Sequence, residues 1–206
     1  MSVSDGVVIR SFLESLRGAK LEEYVRGILF CFGAPTIKGL KAATLINFKR
    51  GDEDVRSIWD THAAEWLAPL GVEWILLDGD DPSSRSALVM LYRRDILERA
   101  LADRRASEIL TSLGYPLPDL ERCLSCLRAR YQLEFPHEIG LFLNYPPEDV
   151  LGFMERREAK EHIDGYWKVY GNVKKARRTS RRYRRAEREA ARALMSGSKT
   201  GRMAHA

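Results

Sequence analysis

A chain of 206 residues, of which 45% are hydrophobic and 31% charged, is long enough for one domain with a substantial core. No apolar run approaches the roughly 20 residues of a membrane span, and three cysteines do not suggest a disulfide framework. The formal charge of +5 is concentrated: Lys174 to Arg192 carries ten Lys/Arg against Glu187 and Glu189, a local +8, so the remainder is net −3. Basicity therefore belongs to one segment rather than to the fold.

Two helices are predicted at Val7–Leu16 and Leu21–Phe32, with Leu21, Tyr24, Val25, Ile28, Leu29 and Phe32 on one face. Pro35 is expected to end the second, leaving Thr36–Lys41 as a loop before a strand at Ala43–Phe48. Asp52–Leu67 reads as a helix with Val55, Ile58, Trp59, Ala63 and Trp66 inward. Val72–Leu77 reads as a buried strand, hairpinned through the Asp78-Gly79-Asp80-Asp81-Pro82 turn to Ser86–Tyr92.

Helices follow at Asp95–Ala102, Arg105–Leu113 and from Leu117 or Asp119 to Tyr131, then short ones at His137–Leu143 and Pro147–Glu155. Gly165–Tyr170 alternates like a short strand. Asn172 is placed to cap a last helix running to about Leu194, with Ser196–Ala206 as a disordered tail. Together these predict a single α+β domain over 1–195, with about four short strands in one small mixed or antiparallel sheet flanked by many helices.

The stretch Glu134–Val150 joins a histidine, a carboxylate, turn residues and an apolar run. Phe135-Pro136-His137-Glu138-Ile139-Gly140, Phe142-Leu143, Tyr145-Pro146, Asp149-Val150 and Gly152-Phe153, then Gly165-Tyr166-Trp167-Lys168-Val169-Tyr170, stand in one pattern; Ala34-Pro35-Thr36 with Gly39 and Lys41 stands upstream. The pattern resembles a family of anaerobic, mostly clostridial bacteria known as domain of unknown function 3793. Asn144 stands where that family usually has glycine, and Gly33 where it often has cysteine, Cys31 lying two residues earlier. The resemblance implies a cytoplasmic protein in redox or iron physiology, with flavodoxin in the same setting. It brings no catalytic residues and no named cofactor.

His137 can serve as acid, base or ligand with Glu138 as its orienter; equally, either residue can simply hold a helix start. Thr36, Lys38 and Lys41 can hold a small anionic ligand, with Tyr145 and Trp167 as an aromatic wall, or can form a solvated turn. Cys123 and Cys126 form a C-x-x-C inside a helix, readable as a redox pair or as packing. Asp78, Asp80 and Asp81 fail the EF-hand pattern, and no metal site is assigned. On the last helix, Arg177, Arg178, Arg181, Arg182, Arg184 and Arg185 can meet nucleic acid or an acidic partner such as flavodoxin, or face water. The leading expectation is a small-molecule or cofactor-handling protein with its site where the Ala34–Lys41 and Phe135–Tyr145 segments meet. The alternative is a nucleic-acid-binding or acidic-partner module.

Overall fold

The computed structural model describes residues 3–79, 83–163 and 167–200. Helix α1 (Val3–Ser15) leads into α2 (Leu21–Phe32), and then a single turn, α3 (Ala34–Ile37). That turn corrects the expected loop. Pro35 stops α2 but lies in the first turn of α3, where its missing N–H costs nothing. Strand β1 (Ala43–Phe48) matches its predicted bounds. Helix α4 (Val55–Leu67) begins later than expected because Asp54 acts as its cap, its carboxylate accepting from the Ser57 N–H at 3.0 Å.

Strands β2 (Glu73–Leu76) and β3 (Ala87–Tyr92) both run antiparallel to their neighbours, in the order β1-β3-β2. The central strand is β3, buried along its whole length. The strand expected to be buried, β2, is an edge strand of intermediate exposure. An apolar run alone does not distinguish edge from centre, because Trp74 and Leu76 pack on one face whether or not a further strand covers them.

Side chains of β3 alternate between two cores with the period of a strand. Leu88, Met90 and Tyr92 join one core with α5 (Arg94–Leu101), α6 (Arg104–Ser112), α7 (Leu120–Tyr131), α8 (Ile139–Phe142) and α9 (Pro147–Met154). Ala87, Val89 and Leu91 join the other, with α1, α2, α4 and Ala191. The fold is α+β, a small antiparallel sheet between two helical layers.

A second sheet pairs β4 (Glu161–Ile163) with β5 (Trp167–Val169), antiparallel. Among the described residues, the strands expected in one small sheet of about four form two sheets, of 3 and 2 strands. From β5 the chain enters α10 (Val173–Thr200), capped by Asn172 Oδ1 on the Lys175 N–H at 2.9 Å. Ala176, Ser180, Tyr183, Ala186 and Ala191 are buried as α10 crosses α1, α2 and α3. The helix extends past the expected Leu194 through Thr200, and the rest of the expected tail lies outside the described residues.

Candidate functional site

The segment before α8 is set by proline and by tight turns. Buried Pro136 accepts the Ile139 N–H at 3.0 Å, opening the single turn of α8. Gly140 lies against α9: a Cβ there would stand 2.8 Å from Val150 Cγ2, so only glycine allows this approach. The chain then turns through Asn144 at φ 60, a left-handed conformation that asparagine tolerates better than most residues. Pro147 starts α9, where its fixed φ suits a first turn.

These turns shape a cleft of about 270 Å³, lined mainly by apolar groups of Phe135, Ile139, Leu143, Tyr145, Val150 and Phe153. Of its lining residues, His137, Tyr145, Asp149 and Lys168 carry polar groups; Asp149 is buried, and its Oδ1 accepts the Tyr170 and Gly171 N–H groups. The His137 ring is edge-on to Phe153 at 5.0 Å and tilted against Phe135 at 5.6 Å. The Lys168 ammonium lies 5.4 Å from the Phe153 ring centre. Phe135 is 50% exposed and Phe153 38%, so two large aromatics sit at the mouth with much of their surface in water.

Glu138 has different surroundings from its neighbour. It is buried, and its Oε1 accepts from the Tyr115 hydroxyl at 2.9 Å and from Arg130 Nε at 2.6 Å. Burial and the adjacent carboxylate hold the Tyr115 phenol above its ordinary range. Among the described residues, His137 makes ring contacts and no hydrogen bond to Glu138.

The Ala34–Lys41 segment meets this region through a lysine. Lys41 is 4% exposed, and its ammonium sits 5.3 Å from the Tyr145 ring centre and 5.6 Å from that of Tyr183. Burial lowers its pKa to about 8, an effect partly opposed by Glu187. Thr36 is buried and shares a 2.8 Å hydrogen bond with Thr44. Lys38 points elsewhere, pairing at 2.7 Å with Glu189 of α10. The two lysines therefore do not converge on one anion. Trp167 contributes backbone to β5, and its side chain lies outside the described residues.

A family model described as Protein of unknown function (DUF3793) matches residues 29–204. The chain belongs to the DUF3793 family. No curated protein and no solved structure matches it. The matched range takes in Lys41, the whole cleft and α10, and leaves out α1.

Several residues around this cleft give no functional signal in sequence. Phe153 and Lys168 stand inside the family-like patterns, but the patterns do not show that the two side chains meet. Tyr183 read only as part of a packing stripe, and Tyr115 and Arg130 gave no local signal, since they reach Glu138 only through the fold. Of the helix α10 cations, Arg177 pairs with Glu161 and Arg185 with Glu189, while Arg178, Arg181 and Arg182 are exposed and Arg184 is half-buried.

Cys123 is buried in α7, its thiol raised to about 11 by burial first and by Cys126 second, which disfavours the thiolate that redox exchange requires. Asp78 accepts the Leu88 N–H at 2.9 Å and so closes the hairpin; Asp80 and Asp81 lie outside the described residues. Among the described residues no three His, Cys, Asp or Glu are grouped to hold a metal.

Proposed function

We propose that the chain binds a small, flat organic molecule bearing an anionic group in the cleft beside α8, in the redox or iron setting implied by the family resemblance. One observation supports this reading most: the Phe135–Phe153 segment and Lys168 build a mainly apolar recess in which His137 and Lys168 stand beside Phe135 and Phe153, while the Asp149 carboxylate in its lining is engaged by the Tyr170 and Gly171 N–H groups. Small-molecule sites have this character, an apolar wall with a few placed polar groups. Phe135 and Phe153 would cover the two faces or one edge of a ring. Each aromatic contact contributes about 0.5–1.5 kcal/mol beyond area burial. Lys168 would neutralise the anion, and His137 would donate to or accept from a polar atom of the ligand. Glu138 supports the site from below, by fixing the start of α8 through Tyr115 and Arg130.

Titration with anilinonaphthalene sulfonate, a flat aromatic anion, tests this reading. The expected result is saturable binding at one site, weakened about tenfold by Phe153→Ala and blocked by Leu143→Trp, which fills the recess. Equal binding by the parent chain and both variants, with their folds intact, rules the cleft out as the site.

A further inference from the structure

We propose that the outer face of α10, together with the hollow beside it, binds single-stranded nucleic acid. Lys174, Lys175, Arg178, Arg181, Arg182, Arg185 and Arg192 are all exposed. At about 100° per residue they fall within an arc of about 120°, and at 1.5 Å per residue they extend along about 27 Å of helix. Among the described residues only Arg185 of the seven has a carboxylate partner, Glu189, and that carboxylate is also held by Lys38. Among the described residues the other six cations have no ion pair, whereas Arg56, Arg94, Arg99, Arg104 and Arg130 elsewhere on the molecule are each paired.

Beside this stripe lies a hollow of about 490 Å³, between α10, the start of α6 and the Asn144–Glu148 turn. Lys175 and Arg182 line it from α10, and Arg105 faces them from α6. Tyr145, half-buried, offers part of its ring to the same space. Two acids also line it. Asp103 is committed to capping α6, accepting from the N–H groups of Arg105 and Ala106 at 3.0 and 3.2 Å, and Glu148 lies at the α9 end. A cationic track with an adjoining aromatic-walled recess is the arrangement that holds a strand by its phosphates while one base turns aside to stack. A duplex keeps its bases paired and cannot use the recess.

Two other polyanionic partners fit less well. A helix that binds a bilayer inserts its apolar face, and that face of α10 is already buried on α1, α2 and α3. A protein partner needs apolar anchors at the centre of its interface, and the exposed residues of α10 from Lys174 to Arg185 are all Lys and Arg, with Glu189, Ala193 and Ser196 the exposed residues of other kinds beyond them.

The test is fluorescence anisotropy of the full chain with a labelled oligouridylate, a duplex of equal length and phosphatidylserine vesicles. With six phosphates neutralised, raising salt from about 50 to about 200 mM should weaken single-strand binding about 300-fold or more. The Lys174→Glu, Arg178→Glu, Arg181→Glu triple variant should abolish binding, and Arg105→Glu alone should weaken it. Arg104→Glu, next in sequence but paired with Glu108 and outside the hollow, should not. Single alanine changes at Arg178 and Arg181, each flattening the salt slope by about one, keep the test decisive if the triple variant unfolds. Absence of binding at low salt, indifference to these changes, duplex binding as tight as single-strand binding, or tighter binding to vesicles would each overturn the proposal.

Discussion

Lys41 is a cation held far from its ordinary environment. Its pKa falls from 10.5 to about 8 because the fold removes it from water and places it between two phenol rings. Between those values the unfolded chain keeps a proton that the folded chain has released, so this residue makes stability rise as pH rises from about 8. Above about 10 the tyrosines oppose the trend: burial raises Tyr145 and Tyr183, the latter to about 12, so the unfolded chain loses phenol protons that the fold retains. The readable window is thus pH 8 to 10. Denaturant unfolding of the parent chain and of Lys41→Met should diverge there, with a slope of up to about 1.4 kcal/mol per pH unit that the variant lacks. Parallel curves would mean that Lys41 stays protonated in the fold. Glu138 makes a second residue-scale prediction. Glu138→Ala leaves the Tyr115 hydroxyl without its acceptor and costs about 2–3 kcal/mol in chemical denaturation, with Gln recovering part of the loss. Neither environment was legible in sequence. Lys41 read as a solvated turn lysine or an anion holder, because nothing within its own stretch announces Tyr145 or Tyr183.

At the scale of elements, α9 and β5 are joined by a carboxylate and by close packing. Asp149 Oδ1 accepts the Tyr170 and Gly171 N–H groups, both at 2.7 Å, while buried in the protein. A Cβ on Gly152 would stand 2.5 Å from Tyr170 Cγ, so α9 lies on this strand end with no room for a methyl group. Gly152→Ala must shift the base of a ring rather than a flexible tip and should destabilise by about 1–3 kcal/mol. Asp149→Ala should release the Tyr170 and Gly171 amides to hydrogen exchange. Unchanged protection at both amides would show that the clamp is not needed. Elements with a strong local pattern were legible: β1 through the largely apolar Ala43–Phe48 stretch that follows the Gly39 turn, and α7 and α10 through Asp119 and Asn172 at their starts. Strand β4 was not, since Glu161-His162-Ile163 is too short and too polar to show alternation and is a strand only because β5 pairs with it. The one-turn helix α3 was missed for a related reason: proline reads as an end in sequence, yet the same residue can serve as a beginning.

Across the whole molecule, Tyr145 is the common wall. Its ring helps line the apolar cleft of His137 and the charged hollow of Arg105, Lys175 and Arg182, and it touches buried Lys41. The Ala34–Lys41 and Phe135–Tyr145 segments thus do come together, though through Lys41 and Tyr145 rather than through Thr36, Lys38 and His137 as a set. Family pattern marked the two segments in sequence; it did not reveal which side chain of each makes the contact, because that depends on where α10 lays Tyr183. The cleft and the hollow share Tyr145, but Leu143 and Phe153 line the cleft and not the hollow, and Arg178 and Arg181 lie on α10 outside the cleft, so the two readings are separable by mutation and failure of one leaves the other standing. The most direct measurement of the central proposal is native mass spectrometry of the chain purified without oxygen, alone and with anilinonaphthalene sulfonate. The cleft reading predicts one added small-molecule mass on the parent chain, and its loss in Leu143→Trp. A bare-chain mass with and without the probe, or an added mass that persists in Leu143→Trp, would contradict it.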